Sequence, residues 1–432
     1  MAEFRKIKIG VFGAGRGRAF MGYSNEPIGT ELVAVCDRNP DKVKGASKFI
    51  DGKGVTVYED FDEFLKHPGM EAVVLANYFN EHARYAIKAL RAGKHVLSEC
   101  VCCSTLKEGI ELCEAVEETG KIYMLAENYP FNAMNLEMRR LYQEGEIGEA
   151  MYAEGEYNHP ATGAPHAGYP LWDGPKHWRP WNPSTYYCTH AIAPLMYATD
   201  LMPKAVNARV VAIDGNRDKF KAKDDGAVTL IQMSNGAIFR TMGTGFPGHS
   251  IWYRIHGSRG AVETTRGQGY FGPGQVRVWH EPLHLKGELE NTPTERVYTP
   301  GWPAFAKNIG GAGHGGGDFW VSYYFAEAIR NNEQPYLNVY RGCAMSAIGI
   351  CGWLSALENG REVEIPDFAD KQAREKFRSY DLAPYPETYE QNPEKWIRPS
   401  VYRPNDYSYY EAATKQNFID SYPEEAKKQG LI

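Results

Sequence analysis

The stretch Ile7-Lys-Ile-Gly-Val-Phe12-Gly13-Ala-Gly15-Arg16-Gly17-Arg18 is followed by a second apolar run, Leu32-Val-Ala-Val-Cys36, which ends on Asp37. A buried strand, a glycine turn that admits a pyrophosphate, a helix start and an acidic residue roughly 20 positions on make a dinucleotide-binding site. A lone glycine triplet carries little weight, so the strand before it and the terminal Asp37 decide the reading. The position of the usual third glycine holds Arg18, with Gly17 one residue early. This loosens the close helix-on-strand packing expected there and leaves Arg16 and Arg18 to reach phosphate. Asp37 accepts from ribose hydroxyls and repels a 2′-phosphate, which favours NAD; Arg38 beside it keeps NADP as the less favoured alternative.

A chain of 432 residues is long enough for two domains, since single cores stop growing at about 250 to 300 residues. Its 43% hydrophobic and 24% charged residues describe an ordinary globular protein. A net charge of −6 offers no basic footprint for nucleic acid. No apolar run approaches the roughly 20 residues that span a bilayer, and Met1-Ala-Glu-Phe-Arg-Lys runs straight into the first strand without a leader pattern. A cytoplasmic location is the expectation, with the eight cysteines reduced and buried. Cys100-Val-Cys102-Cys103 invites a metal reading, but no second Cys or His pair stands at ligand spacing, and no metal is expected.

Strand-like runs at Val55–Tyr58, Ala72–Leu75, His95–Leu97 and Ile122–Leu125 alternate with amphipathic segments at Glu81–Ala92 and Leu106–Thr119. Such alternation predicts an α/β, doubly wound parallel sheet, a Rossmann domain placed at residues 1–128. From about Ala150 the text turns β-rich, and Ala227–Met233, Ser234-Asn235-Gly236, Ala237–Met242 predicts a hairpin. The second domain, residues 129–382, is therefore α+β with a mostly antiparallel open sheet. A long helix from Asn338 to Glu358, stopped by Asn359-Gly360, is expected to pack near the domain boundary. The tail, 383–432, is rich in Tyr and Pro, shows no clear period, and is expected to wrap its own surface or a neighbouring subunit. A homo-oligomer, dimer or tetramer, is the matching expectation.

Asn77 to His82, with Ala89-Leu-Arg-Ala-Gly93-Lys94-His95-Val96, resembles the Gfo/Idh/MocA oxidoreductases, an NAD(P)-dependent group acting mainly on sugars and polyols. There the next segment reads Glu-Lys-Pro, the glutamate touching the nicotinamide ribose and the lysine assisting hydride transfer; here it reads Glu99-Cys100-Val101. The dehydrogenases also carry an Asp and, four residues on, a His on a helix of the second domain. In Tyr186-Tyr187-Cys-Thr-His190-Ala-Ile-Ala-Pro194, His190 stands at the Asp position and Pro194 at the His position. Both departures resemble the NAD-dependent glycosidases of glycoside hydrolase family 109. Matching stretches are Ala126-Glu127-Asn128, Gly155-Glu-Tyr157-Asn-His159, Tyr187-Cys-Thr-His190, Gly311-Ala-Gly313-His314-Gly-Gly-Gly-Asp318 and Glu362–Phe368.

The resemblance implies Asn77, His82, Glu99 and Asn128 at the cofactor beside Gly13, Gly15, Arg16, Gly17, Arg18, Asp37 and Arg38. It implies Glu127, Tyr157, His159, Tyr187 and His190 at the substrate, with His249 or Tyr253 standing in for a further family tyrosine. Those glycosidases oxidise a sugar at C3, eliminate at C1, add water and reduce the ketone again. The residues suit such proton traffic: Tyr187 and His190, three apart, share a helical face, and Tyr157 and His159 share a strand face. A tyrosine acting as base near neutrality needs a phenol pKa lowered from about 10. Glu127 follows an apolar run, at the strand end where open α/β sheets bind ligands. The aromatic segment with Tyr169, Trp172, Trp178, Trp181 and Tyr186 offers flat faces for a sugar. Trp178, Arg179, Trp181 and His314 are expected nearest the carbohydrate or glycoside substrate. Two other functions fit the sequence: a true sugar dehydrogenase or keto-sugar reductase, and a non-catalytic NAD(H)-binding regulator.

Overall fold

The structure, a computed structural model, describes residues 4–159, 173–211, 224–246, 248, 250–267, 272–282, 293–306 and 312–432. Tyr169, Trp172, His249 and Gly311 lie outside the described residues.

Six parallel strands form the first sheet: β1 (Ile7–Phe12), β2 (Thr30–Cys36), β3 (Thr56–Tyr58), β4 (Ala72–Leu75), β5 (His95–Ser98) and β6 (Tyr123–Leu125). Their order, β3-β2-β1-β4-β5-β6, reverses direction between β1 and β4, where such sheets open a ligand crevice beyond the strand ends. The helices His82–Arg91 and Leu106–Thr119 pack against each other on the sheet, and β4 and β6, buried throughout, read as continuous apolar runs. The second helix starts where Thr105 Oγ1 accepts from Glu108 N and Glu108 returns the bond to Thr105 N; it stops at Gly120.

Nine strands form the second sheet: β7 (Ala150–Asn158), β8 (Pro203–Val211), β9 (Gly226–Met233), β10 (Ile238–Thr244), β11 (Ser250–Gly257), β12 (Gly260–Thr264), β13 (Val276–His280), β14 (Glu295–Tyr298) and β15 (Val363–Glu364). All neighbours are antiparallel except β7 and β10. The β9–β10 hairpin turns at Ser234–Gly236 as its sequence predicts. Helix Thr189–Thr199 lies on this sheet against β7, close enough that a Cβ on Gly155 would stand 1.9 Å from Ala191 O. That contact sets His190 over the end of β7, beside Tyr157.

Helix Val339–Leu357, capped by Asn338, packs on β8 of the second sheet and on β6 and the Leu106–Thr119 helix of the first. The aperiodic tail is not extended: it contains the helices Pro386–Gln391, Tyr407–Ser421 and Pro423–Lys428. Polar residues surround the middle helix on most sides, and Tyr407, Tyr410, Thr414 and Phe418 bury a narrow stripe, which hides its period. The tail wraps its own chain, through Glu387 to Arg84, Tyr385 Oη to Asn182, and Ser400 and Val401 N to Asp224.

Three histidines are held neutral, His82 buried and His95 and His177 half-buried. Burial pushes His82 and His95 down to about 4 and His177 down to about 3, from 6.5. The unfolded chain binds these protons near its ordinary pKa and the folded chain does not, so stability falls as pH drops from 6.5 toward 4 and is level above about 7. Thermal midpoints measured between pH 8 and pH 4.5 are expected to decline only below about 6.5, ahead of the carboxylate range. All eight cysteines are free and buried, and among the described residues no helix is long and apolar enough to cross a membrane.

Candidate active site

Gly13 opens the crevice: its φ is +95°, and a Cβ there would stand 2.3 Å from Ala76 O. Only glycine fits such a turn. The helix expected after it is a single five-residue 3-10 turn, Arg16–Phe20. Close packing is not lost, because Gly17 takes the work of the third glycine: a Cβ there would meet Val11 Cγ1 at 2.4 Å. Asp37, just past β2, accepts from Ala14 N at 2.7 Å and Asn39 N at 2.8 Å, and burial raises its pKa. Arg38 is exposed beside it.

Both arginines that the sequence offers to phosphate have protein partners. Arg18 donates to the carbonyls of Gly15 and Gly45. Arg16 pairs with Glu99 at 2.7 Å and forks onto Asp318 at 2.6 and 3.0 Å, because two nearby carboxylates hold a guanidinium more firmly than solvent does. His82 is only 2% exposed and shares a hydrogen bond with Val101 O, so it supports the Glu99–Val101 turn. Asn77 donates to Glu81, and Asn128 to Asp318. The buried amide oxygens of both have no partner. An unpaired buried acceptor is costly, and these two, at the ends of β4 and β6, suit the amide and hydroxyl donors of a dinucleotide. With the glycine turn and Asp37 they make a set that fits NAD.

Beyond β6 the groups with chemical potential converge on one imidazole. Glu127 is fully buried; its Oε1 lies 2.6 Å from His190 Nδ1, and its Oε2 accepts from Cys100 Sγ at 3.0 Å. Burial alone would raise the Glu127 carboxyl, but the neighbouring imidazole and the hydrogen bonds from His190, Cys100 and Thr189 outweigh it and hold it low. An ionised Glu127 makes Nδ1 the donor, so in the neutral imidazole the lone pair is on Nε2. Around that ring stand Tyr129 at 4.5 Å, Tyr157 at 4.6 Å and Tyr187 at 5.2 Å between centroids. Tyr253, only 1% exposed, donates to the His190 backbone carbonyl at 2.7 Å and therefore positions the helix turn instead of meeting an aglycone.

Tyr187 lies just ahead of the Thr189–Thr199 helix, not on it, yet still meets His190. Its phenol is not lowered as a base requires: burial pushes it up, and the charge of Arg179 offsets this only in part. Tyr187 is thus protonated and able to donate a hydrogen bond. His159 is exposed past the end of β7, its ring 5.9 Å from Tyr157. Cys100 occupies the place of the family lysine, and burial, then Glu127, drive its thiol upward, so it carries no charge. Its loss removes one hydrogen bond to Glu127, about 0.5–1.5 kcal/mol. Cys100→Ala is expected to keep kcat within about tenfold; a drop of several orders of magnitude in folded protein would make the thiol itself catalytic.

Cys100, Glu127 and His190 also bring thiol, carboxylate and imidazole within 4.8 Å of one another, a set able to hold a metal ion. Ligand spacing along the sequence does not show it, because the three come from separate strand ends and a helix.

Trp178 stacks on Phe79 at 4.8 Å, Phe79 on Tyr187 at 5.6 Å, and Arg179 lies 4.5 Å over the Trp178 ring. Trp181 is 1% exposed, stacks on Tyr407 and donates to Pro175 O, so the tail packs it as a core residue. His314 is exposed, at positive φ, with Nδ1 on Asp318. Sequence reasoning passed over three participants. Tyr129 and Phe79 carry no signal in the sequence, and Asp318 stands only as the end of a glycine motif, although an acidic residue in the first turn of a helix is a usable signal.

The model of the oxidoreductase family with NAD-binding Rossmann fold matches residues 7–127, the GFO/IDH/MocA C-terminal domain matches 135–263, and the glycosyl hydrolase 109 C-terminal domain matches 205–375. The chain is 27% identical to glycosyl hydrolase family 109 protein 1 of Bacteroides thetaiotaomicron, over 85% of each chain. It is 26% identical to a family 109 protein of Stenotrophomonas maltophilia, over 85% of this chain and 90% of that one. Among solved structures, levoglucosan dehydrogenase in complex with NADH shares the fold with a TM-score of 0.70 at 21% identity, over 84% of this chain and 100% of that one. The aldose-aldose oxidoreductase of Caulobacter crescentus, complexed with glycerol, gives 0.65 at 20% identity, over 84% and 100%. The chain belongs to the Gfo/Idh/MocA oxidoreductase family, with an NAD-binding Rossmann domain joined to a C-terminal domain of the glycosyl hydrolase 109 type.

Proposed function

We propose that the protein is a glycosidase that hydrolyses a glycoside through transient oxidation at sugar C3. The observation that carries this reading is the Glu127–His190 pair ringed by Tyr129, Tyr157 and Tyr187, with a neutral thiol where a dehydrogenase has its lysine. When bound at Gly13, Gly15, Asp37, Asn77 and Asn128, NAD supplies the oxidant that converts the C3 alcohol to a ketone and later restores it.

His190 Nε2 takes the C3 hydroxyl proton, and Glu127 stabilises the imidazolium that forms. The ketone makes the C2 hydrogen acidic. Tyr157, 5.9 Å from Tyr187 between ring centroids, takes that proton as its own phenolic proton passes to Tyr187, and the C1–oxygen bond breaks as the C1–C2 double bond forms. Tyr187, held protonated by burial, donates to the departing oxygen. Water then adds at C1, a proton returns to C2, and His190 gives its proton back to the C3 oxygen. The Trp178–Phe79 wall borders Tyr187 and fits the leaving group. The names of the family 109 relatives support a sugar substrate.

The test uses aryl glycosides in deuterium oxide. Release of the phenol without net NADH, and product carrying deuterium at C2, is the expected result. Accumulation of NADH on a free sugar, with no phenol released, would instead make the protein a dehydrogenase served by the same Glu127–His190 pair. Neither outcome would leave an NAD-binding regulator.

A further inference from the structure

Arg16 leaves the glycine turn at the end of β1, while its partner Glu99 follows β5. Strand β4 lies between those two strands. The side chain therefore crosses the crevice at the point where strand order reverses, the place such sheets keep for their ligand. On the far side its guanidinium meets the second domain, donating from both terminal nitrogens to Asp318 at 3.0 and 2.6 Å. Three of its donors are occupied in this way, and a guanidinium has five.

Asp318 is built to hold that fork. It is 1% exposed, in the first turn of the helix Gly317–Asn331, and it also accepts from Asn128 Nδ2 at 3.0 Å and pairs with His314 Nδ1 at 3.1 Å. A Cβ on Gly313 would stand 2.2 Å from Asp318 Oδ2, so the glycine run leaves the carboxylate its room. Burial disfavours its charge, but the hydrogen bonds from His314 and Arg16 hold it well below the usual carboxylate range. One side chain thus ties the glycine turn, the end of β6 and the rim of the second domain together.

We propose that the Arg16–Asp318 pair is a latch across the dinucleotide crevice and sets the rate at which the bound cofactor leaves. Charge-assisted, bidentate pairs of this kind are among the strong hydrogen bonds, and separating them strands a buried charge. A dinucleotide lying beneath the bridge cannot leave until the pair opens. The inference needs only the Rossmann domain's cofactor, and it stands or falls independently of the glycoside chemistry.

The experiment loads the full-length protein with radiolabelled NAD, adds excess unlabelled NAD without any sugar, and follows loss of label. Asp318→Asn and Arg16→Lys are each expected to speed release by at least about fivefold. The double variant should be no faster than the quicker single one, because both changes open one pair. Release accelerated less than fivefold in both variants overturns the latch. If Asp318→Asn does not fold, Arg16→Lys decides alone, since it keeps the charge and loses only the fork. Urea midpoints of the apoproteins separate a merely structural role, which would lower the midpoint and leave the release rate unchanged.

Discussion

His190→Ala is expected to lower kcat by about 10²- to 10⁴-fold, the usual contribution of a positioned acid or base. The imidazole is the shared neighbour of Tyr129, Tyr157 and Tyr187 and is bonded to Glu127. NAD binding should change little, because the glycine turn, Asp37, Asn77 and Asn128 contact other groups. Equilibrium titration with NAD checks the second statement, and steady-state kinetics on an aryl glycoside the first. An effect on affinity alone, with kcat preserved, would place His190 in binding and not in proton transfer.

The other large effect is expected at Glu127, whose two oxygens serve His190 Nδ1, Cys100 Sγ and the backbone N of Tyr129. Glu127→Ala strips these buried donors of their acceptor and should destabilise the fold by about 1–3 kcal/mol for each donor left unsatisfied. Glu127→Gln keeps the volume and one carbonyl acceptor, so the fold should survive. It removes the charge that steadies a protonated imidazole, and kcat should drop by about 10²-fold or more. Combining Glu127→Gln with His190→Ala should cost little beyond His190→Ala alone, because the carboxylate acts through the ring. Denaturant midpoints and kcat on the three variants check this pattern. Additive losses would mean that Glu127 meets the substrate directly.

The sequence by itself determined the Rossmann domain, because its signals are local. Ile7–Phe12 into Gly13, the alternating runs to Leu125, and the Thr105–Glu108 cap with Gly120 each act within a few residues, and strands buried on both faces can only be apolar. It also determined the 234–236 hairpin, the Val339–Leu357 helix and the residues that gather at the site, Glu127, Tyr157, Tyr187 and His190. Only the tertiary structure decided their partners. Nothing near Arg16 in the sequence points to its partner Asp318, which the second domain brings against it from 302 positions away. Trp181 reads as a sugar platform until Tyr407 of the tail covers it. Cys100 reads as a lost lysine until Glu127 is found at its thiol. In each case the short-range pattern fixes the backbone around a side chain. What the side chain touches depends on strand order and domain docking, which bring together residues that no spacing rule connects.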